Sequence, residues 1–193
     1  MPADLDATST GLAGERIGSS IPKAADDGSG STWLYPSPQM FYNAMARKGH
    51  APRPEDMEII VTIHNMVNEQ TWQHVLRWEN YYHPEGKPEL ARFLGRPDDL
   101  SPRAWFRTLL LGYQRPFDRH DWYVRRKDGK TTRYVIDFYG GKAHIEGYPA
   151  FHIDARPAID SWQSLYERSH CFLGRLRDRL SNFIAETLQS GNK

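Results

Sequence analysis

His64 stands in the string His64-Asn65-Met66-Val67-Asn68-Glu69, an imidazole followed within five positions by two amides and a carboxylate. Such neighbours can hold one ring nitrogen by a hydrogen bond, fix the tautomer and leave the other nitrogen as an iron ligand or an acid/base group. The blander account is a capping or solvated histidine at a helix end. A second histidine, His120, is flanked by Asp118, Arg119 and Asp121, a setting that equally suits a charged structural corner. His64, His74 and His83 lack the i, i+4 spacing of a helical zinc pair. Cys171 is the one cysteine, which excludes an internal disulfide and a cysteine-based zinc site. Six Trp, ten Tyr and eight Phe fill cores first, and they would also line a pocket for a flat apolar ligand.

These residues need elements to position them. Between Asp56 and Glu79, apolar residues at Met57, Ile60, Ile63, Val67, Trp72, Val75, Leu76 and Trp78 make a helical stripe with an interruption near Asn65 to Asn68. The interruption predicts two helices meeting at a corner, with Asn68 as the second N-cap, Glu69 against the positive helix end and His64 at the bend. Ser37-Pro38 with Gly49, and Ser101-Pro102 with Gly112, frame two shorter helices. Asp128-Gly129 between segments rich in aromatic and β-branched residues predicts a hairpin, with a strand over Tyr134 to Phe138 and a third over Tyr148 to Asp154. The Pro- and Gly-bearing stretch His83 to Leu100 reads as a loop. From Asp160 a long amphipathic helix pattern runs to Leu188, its polar side carrying Arg168, Arg175, Arg177 and Arg179. The fold class is therefore α+β: a single domain of several helices packed around a small antiparallel sheet, ending in a long amphipathic helix.

Length and charge bound the function. A chain of 193 residues suits one domain. With 25 basic and 24 acidic side chains the net charge is +1, which gives no electrostatic case for a nucleic-acid partner. No apolar run approaches the roughly 18 residues of a membrane span, so any membrane contact is expected to be peripheral. Residues 1–31, rich in Gly, Ser, Ala, Asp and Pro, read as a disordered tail, and the ordered domain is expected over residues 32–190. The first basic residue, Arg16, follows Asp4, Asp6 and Glu15, a poor match to an Arg-rich transit peptide.

Four strings carry a resemblance: WLYPSPQMFYNAMARKG from Trp33, IHNMVNEQTWQHVLRWE from Ile63, PFDRHDWYVRR from Pro116 and RYVIDFYGG from Arg133. In this order they resemble the mitochondrial holocytochrome c synthase (cytochrome c haem lyase) family, from about Trp33 to about Arg168. The resemblance implies an enzyme, a carbon–sulfur lyase named for the reverse reaction. It joins the vinyl groups of haem b to the cysteine thiols of a CxxCH segment in apocytochrome c. It implies residence in the mitochondrial intermembrane space, peripheral on the inner membrane, reached without a cleaved presequence. His64 corresponds to the axial iron ligand, and Glu69 is the nearest sequence candidate to hold its other ring nitrogen, so that His64 and Glu69 form the expected catalytic pair. Trp33 and Tyr35 match residues associated with the haem site, and Trp72 and Asn68 join them as expected haem-binding residues. His120 is expected in support, and Arg126, or Arg125, as the partner of a haem propionate. The Cys-Pro haem-regulatory motifs of many members are missing from this tail. A non-catalytic haem carrier and a structural interaction module are the competing readings.

Overall fold

The computed structural model describes residues 11–25, 30–141 and 150–190, without the side chains of residues 175, 178–180 and 182–190. Two of its helices start where the Ser-Pro pairs place them. Ser37 Oγ accepts from the Met40 amide at 3.2 Å to open α1 (Pro38–Arg47), and Ser101 Oγ accepts from the Ala104 amide at 3.1 Å to open α3 (Pro102–Leu111). Gly49 after α1 and Gly112 at the end of α3 both take positive φ (82° and 66°), a conformation a side chain would penalise.

The central segment differs from expectation: Met57–Tyr82 is one unbroken helix, α2, about 39 Å long. Asn68 does not cap a second helix. Its amide donates back to the His64 carbonyl at 2.7 Å, as the Thr71 hydroxyl does to the Val67 carbonyl at 2.7 Å. Polar side chains in mid-helix can thus bond to the preceding turn without breaking the ladder, and neither Gly nor Pro occurs between 57 and 82 to interrupt it. The gap in the apolar stripe reflects what each part of the helix faces, not a corner.

A four-stranded antiparallel sheet lies under α2, in the order β3 (Glu89–Gly95), β4 (Asp118–Arg125), β5 (Thr131–Gly141) and β6 (Ala150–Pro157). Asp128-Gly129 turns β4 into β5 as the sequence predicts, with Arg126 and Lys130 closing the hairpin by a 2.9 Å backbone bond. The third strand of that prediction forms as β6, running three residues beyond Asp154; Tyr148 and Pro149 lie outside the described residues. Alternation along the strands sends Trp122, Val124, Tyr134, Ile136, Phe138 and Ile153 to the α2 face, where they bury Trp72 and Val75. The opposite face of β5 is closed by charge: Asp137 accepts from Arg156 and from Ser101 at 2.6 Å each, and Asp121 accepts from Arg133 at 2.7 Å.

Three strands form where none was expected. Gly18–Pro22, placed in the disordered tail by composition, is β1, pairs with β2 (Thr32–Leu34) and buries Ser19 and Ile21. Glu89–Gly95, read as loop, is β3. The long C-terminal helix is α4 (Trp162–Ser190).

The other end of α2 is fixed by a buried carboxylate. Glu79, 0% exposed, accepts from Arg126 Nε at 2.6 Å and Nη2 at 3.0 Å and from the Tyr134 hydroxyl at 2.6 Å. Removing one partner of such a pair leaves an uncompensated buried charge at a cost of about 3–5 kcal/mol. Arg126→Ala is accordingly expected to lower the urea midpoint by that stability, and adding Glu79→Ala on top should cost far less than Glu79→Ala alone. Additive losses in this double-mutant cycle would show that the pair does not hold the fold.

Candidate functional site

His64 lies half-buried on the face of α2 that meets α1 and the β1–β2 unit. Phe41 from α1 packs edge-on to its ring with centroids 5.2 Å apart, and Tyr35, just after β2, does so at 6.1 Å. The ring is held at both nitrogens by its own helix. Nδ1 meets the Asn65 side-chain oxygen at 3.2 Å, and the Asn68 amide meets Nε2 at 3.2 Å. An amide nitrogen only donates and an amide oxygen only accepts, so this pairing assigns the proton to Nδ1 and the lone pair to Nε2. Burial keeps the ring below the ordinary imidazole pKa, and the charge of His120 pushes the same way, while Asn65 and Asp118 oppose. The result is a neutral imidazole with a basic Nε2, the state that binds a metal or takes a proton.

The group on the far ring nitrogen is therefore Asn65 and not Glu69, which corrects the expected pairing. Glu69 is one turn further along α2 and is committed to the N-terminal strands. Its carboxylate accepts from the Ser19 hydroxyl at 2.7 Å, the Ser20 amide at 3.0 Å, the Tyr35 hydroxyl at 2.8 Å and also the Ser20 hydroxyl. Burial raises this carboxyl, yet the four donors outweigh it and hold the group below the usual range. Burial likewise pushes the Tyr35 hydroxyl well above its ordinary value, so it stays a donor. Glu69 thus pins Tyr35 beside His64 and acts on the imidazole through that ring.

His120, from β4, points to the α2 side of the sheet, stacks edge-on to Phe138 at 5.3 Å and sets its Nε2 3.1 Å from Asp118 Oδ2. Burial raises the Asp118 carboxyl, but the hydrogen bond and charge of His120 bring it below the usual range. The His120 Nδ1 is buried and has no hydrogen-bond partner among the described residues, an orphan of the kind that functional sites leave open.

The other expected residues do not gather here. Trp33 packs edge-on to Phe93 at 5.3 Å and donates to the Leu90 carbonyl at 3.0 Å, on the β3 edge. Trp72 is sealed in the core between α2 and the sheet. Arg126 is spent on Glu79, 15 positions from His64 and so about 22 Å along the helix. Arg125 bonds to the Ala25 carbonyl at 2.9 Å. The structure joins Tyr35, His64, Asn68 and Glu69 with His120 opposite, and adds Phe41 and Asn65.

A cavity of about 900 Å³ lies elsewhere, at the β6 edge of the sheet, between the C-terminal half of α2, α3 and α4. His74, His152, His170 and several arginines line it, and His64 does not. Sequence reasoning missed this cluster because its members come from four elements spread over about a hundred positions. No group of His, Cys, Asp and Glu with metal-holding geometry occurs among the described residues.

Comparison with known proteins now decides the family. The profile described as "Cytochrome c/c1 heme lyase" matches residues 3–172. The chain belongs to the cytochrome c/c1 haem lyase family. It is 48% identical over 161 residues to a "Probable holocytochrome-c-type synthase" of Caenorhabditis elegans, covering 80% of this chain and 57% of that protein. It is 43% identical over 185 residues to the holocytochrome-c synthase of Saccharomyces cerevisiae (84% and 68% covered). It is also 43% identical over 157 residues to the human holocytochrome c-type synthase (78% and 57%). The chain thus spans a little over half to two thirds of these relatives' own lengths. No solved structure matches it. The haem lyase family match covers every element up to the first third of α4, and so takes in both histidines and the carboxylate–hydroxyl cluster at Glu69.

The tautomer assignment predicts a definite titration. In ¹⁵N spectra of the imidazole, His64 is expected to carry its proton on Nδ1 near neutral pH and to titrate below about 6.5. Asn65→Ala removes an interaction that favours the protonated ring and should lower the midpoint further. A folded pKa below the unfolded one means that this group costs stability as pH falls below about 6.5. A His64 midpoint at or above that of a solvated histidine would refute the assignment.

Proposed function

We propose that the chain is a holocytochrome c synthase: it attaches haem b covalently to apocytochrome c by forming thioethers between the haem vinyl groups and the cysteines of a CxxCH segment. Family membership supports the reaction class, and the observation that carries the site is the neutral His64 with its lone pair on Nε2. On this reading the haem-binding domain is residues 32–190 together with the docked strand β1 (Gly18–Pro22), and His64 Nε2 is the axial ligand to the haem iron. Asn65 holds the proton on Nδ1, which keeps the ring oriented and raises its basicity toward metal. The Asn68 amide that rests on Nε2 has to give way, and its bond to the His64 carbonyl is the place it falls back to.

In this mechanism the protein's part is positioning. A thiol adds across each vinyl group, sulfur bonding to one carbon and the thiol proton going to the other, so the step is redox-neutral and needs no nucleophile from this chain. Holding vinyl carbons beside thiols makes the reaction effectively unimolecular. The client's own histidine in CxxCH supplies the second axial ligand, and the two imidazoles together set the haem plane against the cysteines. Tyr35, locked by Glu69, and Phe41 present ring edges beside His64. His120 supports the site with its unpaired Nδ1. Arg126 has no part as propionate partner in this site, and Trp33 and Trp72 act through packing. The setting is the mitochondrial intermembrane space, with the protein peripheral on the inner membrane.

His64→Ala is expected to abolish stable haem binding and the appearance of covalently haem-stained cytochrome c on co-expression, whereas His120→Ala should retain measurable haem. The readouts are the Soret spectrum of each purified variant and a stain for covalent haem. A full bis-histidine spectrum from His64→Ala would overturn the ligand assignment. Wild-type protein that binds haem yet never yields a thioether would make it a carrier.

A further inference from the structure

Helix α3 is inside out. Its small and charged residues, Ala104, Arg103 and Arg107, turn inward to the sheet and the β6-edge cavity, while Trp105, Phe106, Leu109 and Leu110 face outward, Leu109 being 64% exposed. A soluble protein buries such a stripe and exposes the arginines. Across the cavity α4 does the same: Trp162 is 87% exposed and Phe172 66%, with Tyr166 also outward. The helices that carry these ridges border one depression: α3 contributes Arg103 and Arg107 to its wall, and α4 contributes Leu173 and Arg177.

The depression is cationic. Among the described residues Arg77, Arg103 and Arg107 line it, against one acidic residue, Asp154. That carboxylate is already shared: it lies 3.1 Å from Arg103, 3.9 Å from Arg107 and 3.3 Å from Arg156. Burial lowers the Arg103 pKa, and the charges of Arg107 and Arg156 add to the effect against Asp154, as expected where positive charge outnumbers negative. Arg77 is exposed and pairs with no described carboxylate.

We propose that α3 and α4 seat the protein on an anionic phospholipid bilayer, their outward ridges entering the interfacial layer and the arginine-lined cavity between them taking lipid phosphate. Charge complementarity selects this occupant. Guanidinium groups match phosphate oxygens in fork geometry, and Trp and Tyr rings prefer the depth at which headgroups meet acyl chains. Ridges that flank a basic hollow put apolar contact on both sides of the charge, as an interfacial helix pair requires. None of the described helices is long and apolar enough to cross a membrane, so the contact is lateral. The proposal rests on the peripheral-membrane part of the proposed function and is independent of the haem chemistry, because His64 lies on another face of α2, ten positions from His74.

Co-sedimentation of the full chain with vesicles of phosphatidylcholine alone, and of phosphatidylcholine with equimolar phosphatidylglycerol, tests this. The mixed vesicles should bind at least about tenfold more tightly. Arg77→Gln with Arg107→Gln, side chains at the rim, should weaken that binding by about fivefold for each charge removed and leave neutral vesicles unaffected. Leu109→Ser with Leu110→Ser should weaken both, with an unchanged circular dichroism spectrum. Equal affinity for the two vesicle types would overturn the phosphate cavity while leaving a peripheral protein, and no sedimentation with either would overturn both. Displacement by inorganic phosphate at matched ionic strength would make the cavity a small-anion site and overturn the lipid source. Loss of apocytochrome c binding in the same variants, with vesicle binding intact, would assign the ridges to a protein client and overturn the proposal.

Discussion

A carboxylate with no access to water, Glu79, dictates how the helices and the sheet meet. Burying it unpaired would be prohibitive, so α2 has to lie where the bidentate Arg126 fork and the Tyr134 hydroxyl can both reach it. Arg126 sits at the turn of the β4–β5 hairpin and Tyr134 on β5, and the three together fix both the crossing point and the rotation of α2 over the sheet. Rotation matters because an unbroken helix transmits it. Once the Glu79 end is set, the faces presented by Trp72 and Val75 to the core, and by His64 further along, follow from 3.6 residues per turn.

The N-terminal half of α2 is secured by a second carboxylate under different rules. Glu69 is partly exposed and accepts only from hydroxyls and an amide, so it imposes direction without a buried ion pair. Its donors come from β1 and from Tyr35, which means that the histidine site is assembled only when Gly18–Pro22 docks. A segment of low-complexity composition thereby becomes part of the wall beside His64. Since a carboxyl held below its usual pKa contributes stability that is present above about pH 4.3 and lost as pH falls through its folded value, acidification loosens this wall.

Local chemistry was legible in the sequence and long-range pairing was not. Ser-Pro caps, the Asp128-Gly129 turn and the aromatic and β-branched run of β5 each depend on a few adjacent residues, and each appears where it was read. His64 was found by its neighbours, yet the choice of Glu69 over Asn65 failed, because the predicted helix corner that would have brought Glu69 back does not exist. Asn68 offered the same atoms to a cap or to the preceding turn, and only the packing of α2 on the sheet decides between them. Strand β1 was lost to its composition. It is stabilised by pairing with β2 and by Glu69, some fifty positions away, and no periodicity in Gly18–Pro22 announces that. Arg126 was misread for a related reason: a guanidinium suits a haem propionate and a glutamate side chain equally, and spacing along the chain does not reveal which carboxylate it meets.

The two polar regions of the molecule are separated by the helix that joins them. His64 and His74 are ten residues apart, which places them about 15 Å apart along α2 and about 80° apart around it. The first region is small and hydrogen-bonded around a neutral imidazole, as suits a ligand bound through that ring. The second is open and basic between apolar ridges, as suits a broad anionic surface. A rigid helix between them keeps a contact on the second from covering the first, so a protein resting on a membrane through α3 and α4 would still present the Tyr35–His64 face to a soluble client. The extent of the family match bears on the same division. It ends at residue 172, on the α4 ridge itself, so the histidine face lies wholly within the shared pattern while Leu173 and Arg177 at the cavity lie beyond it.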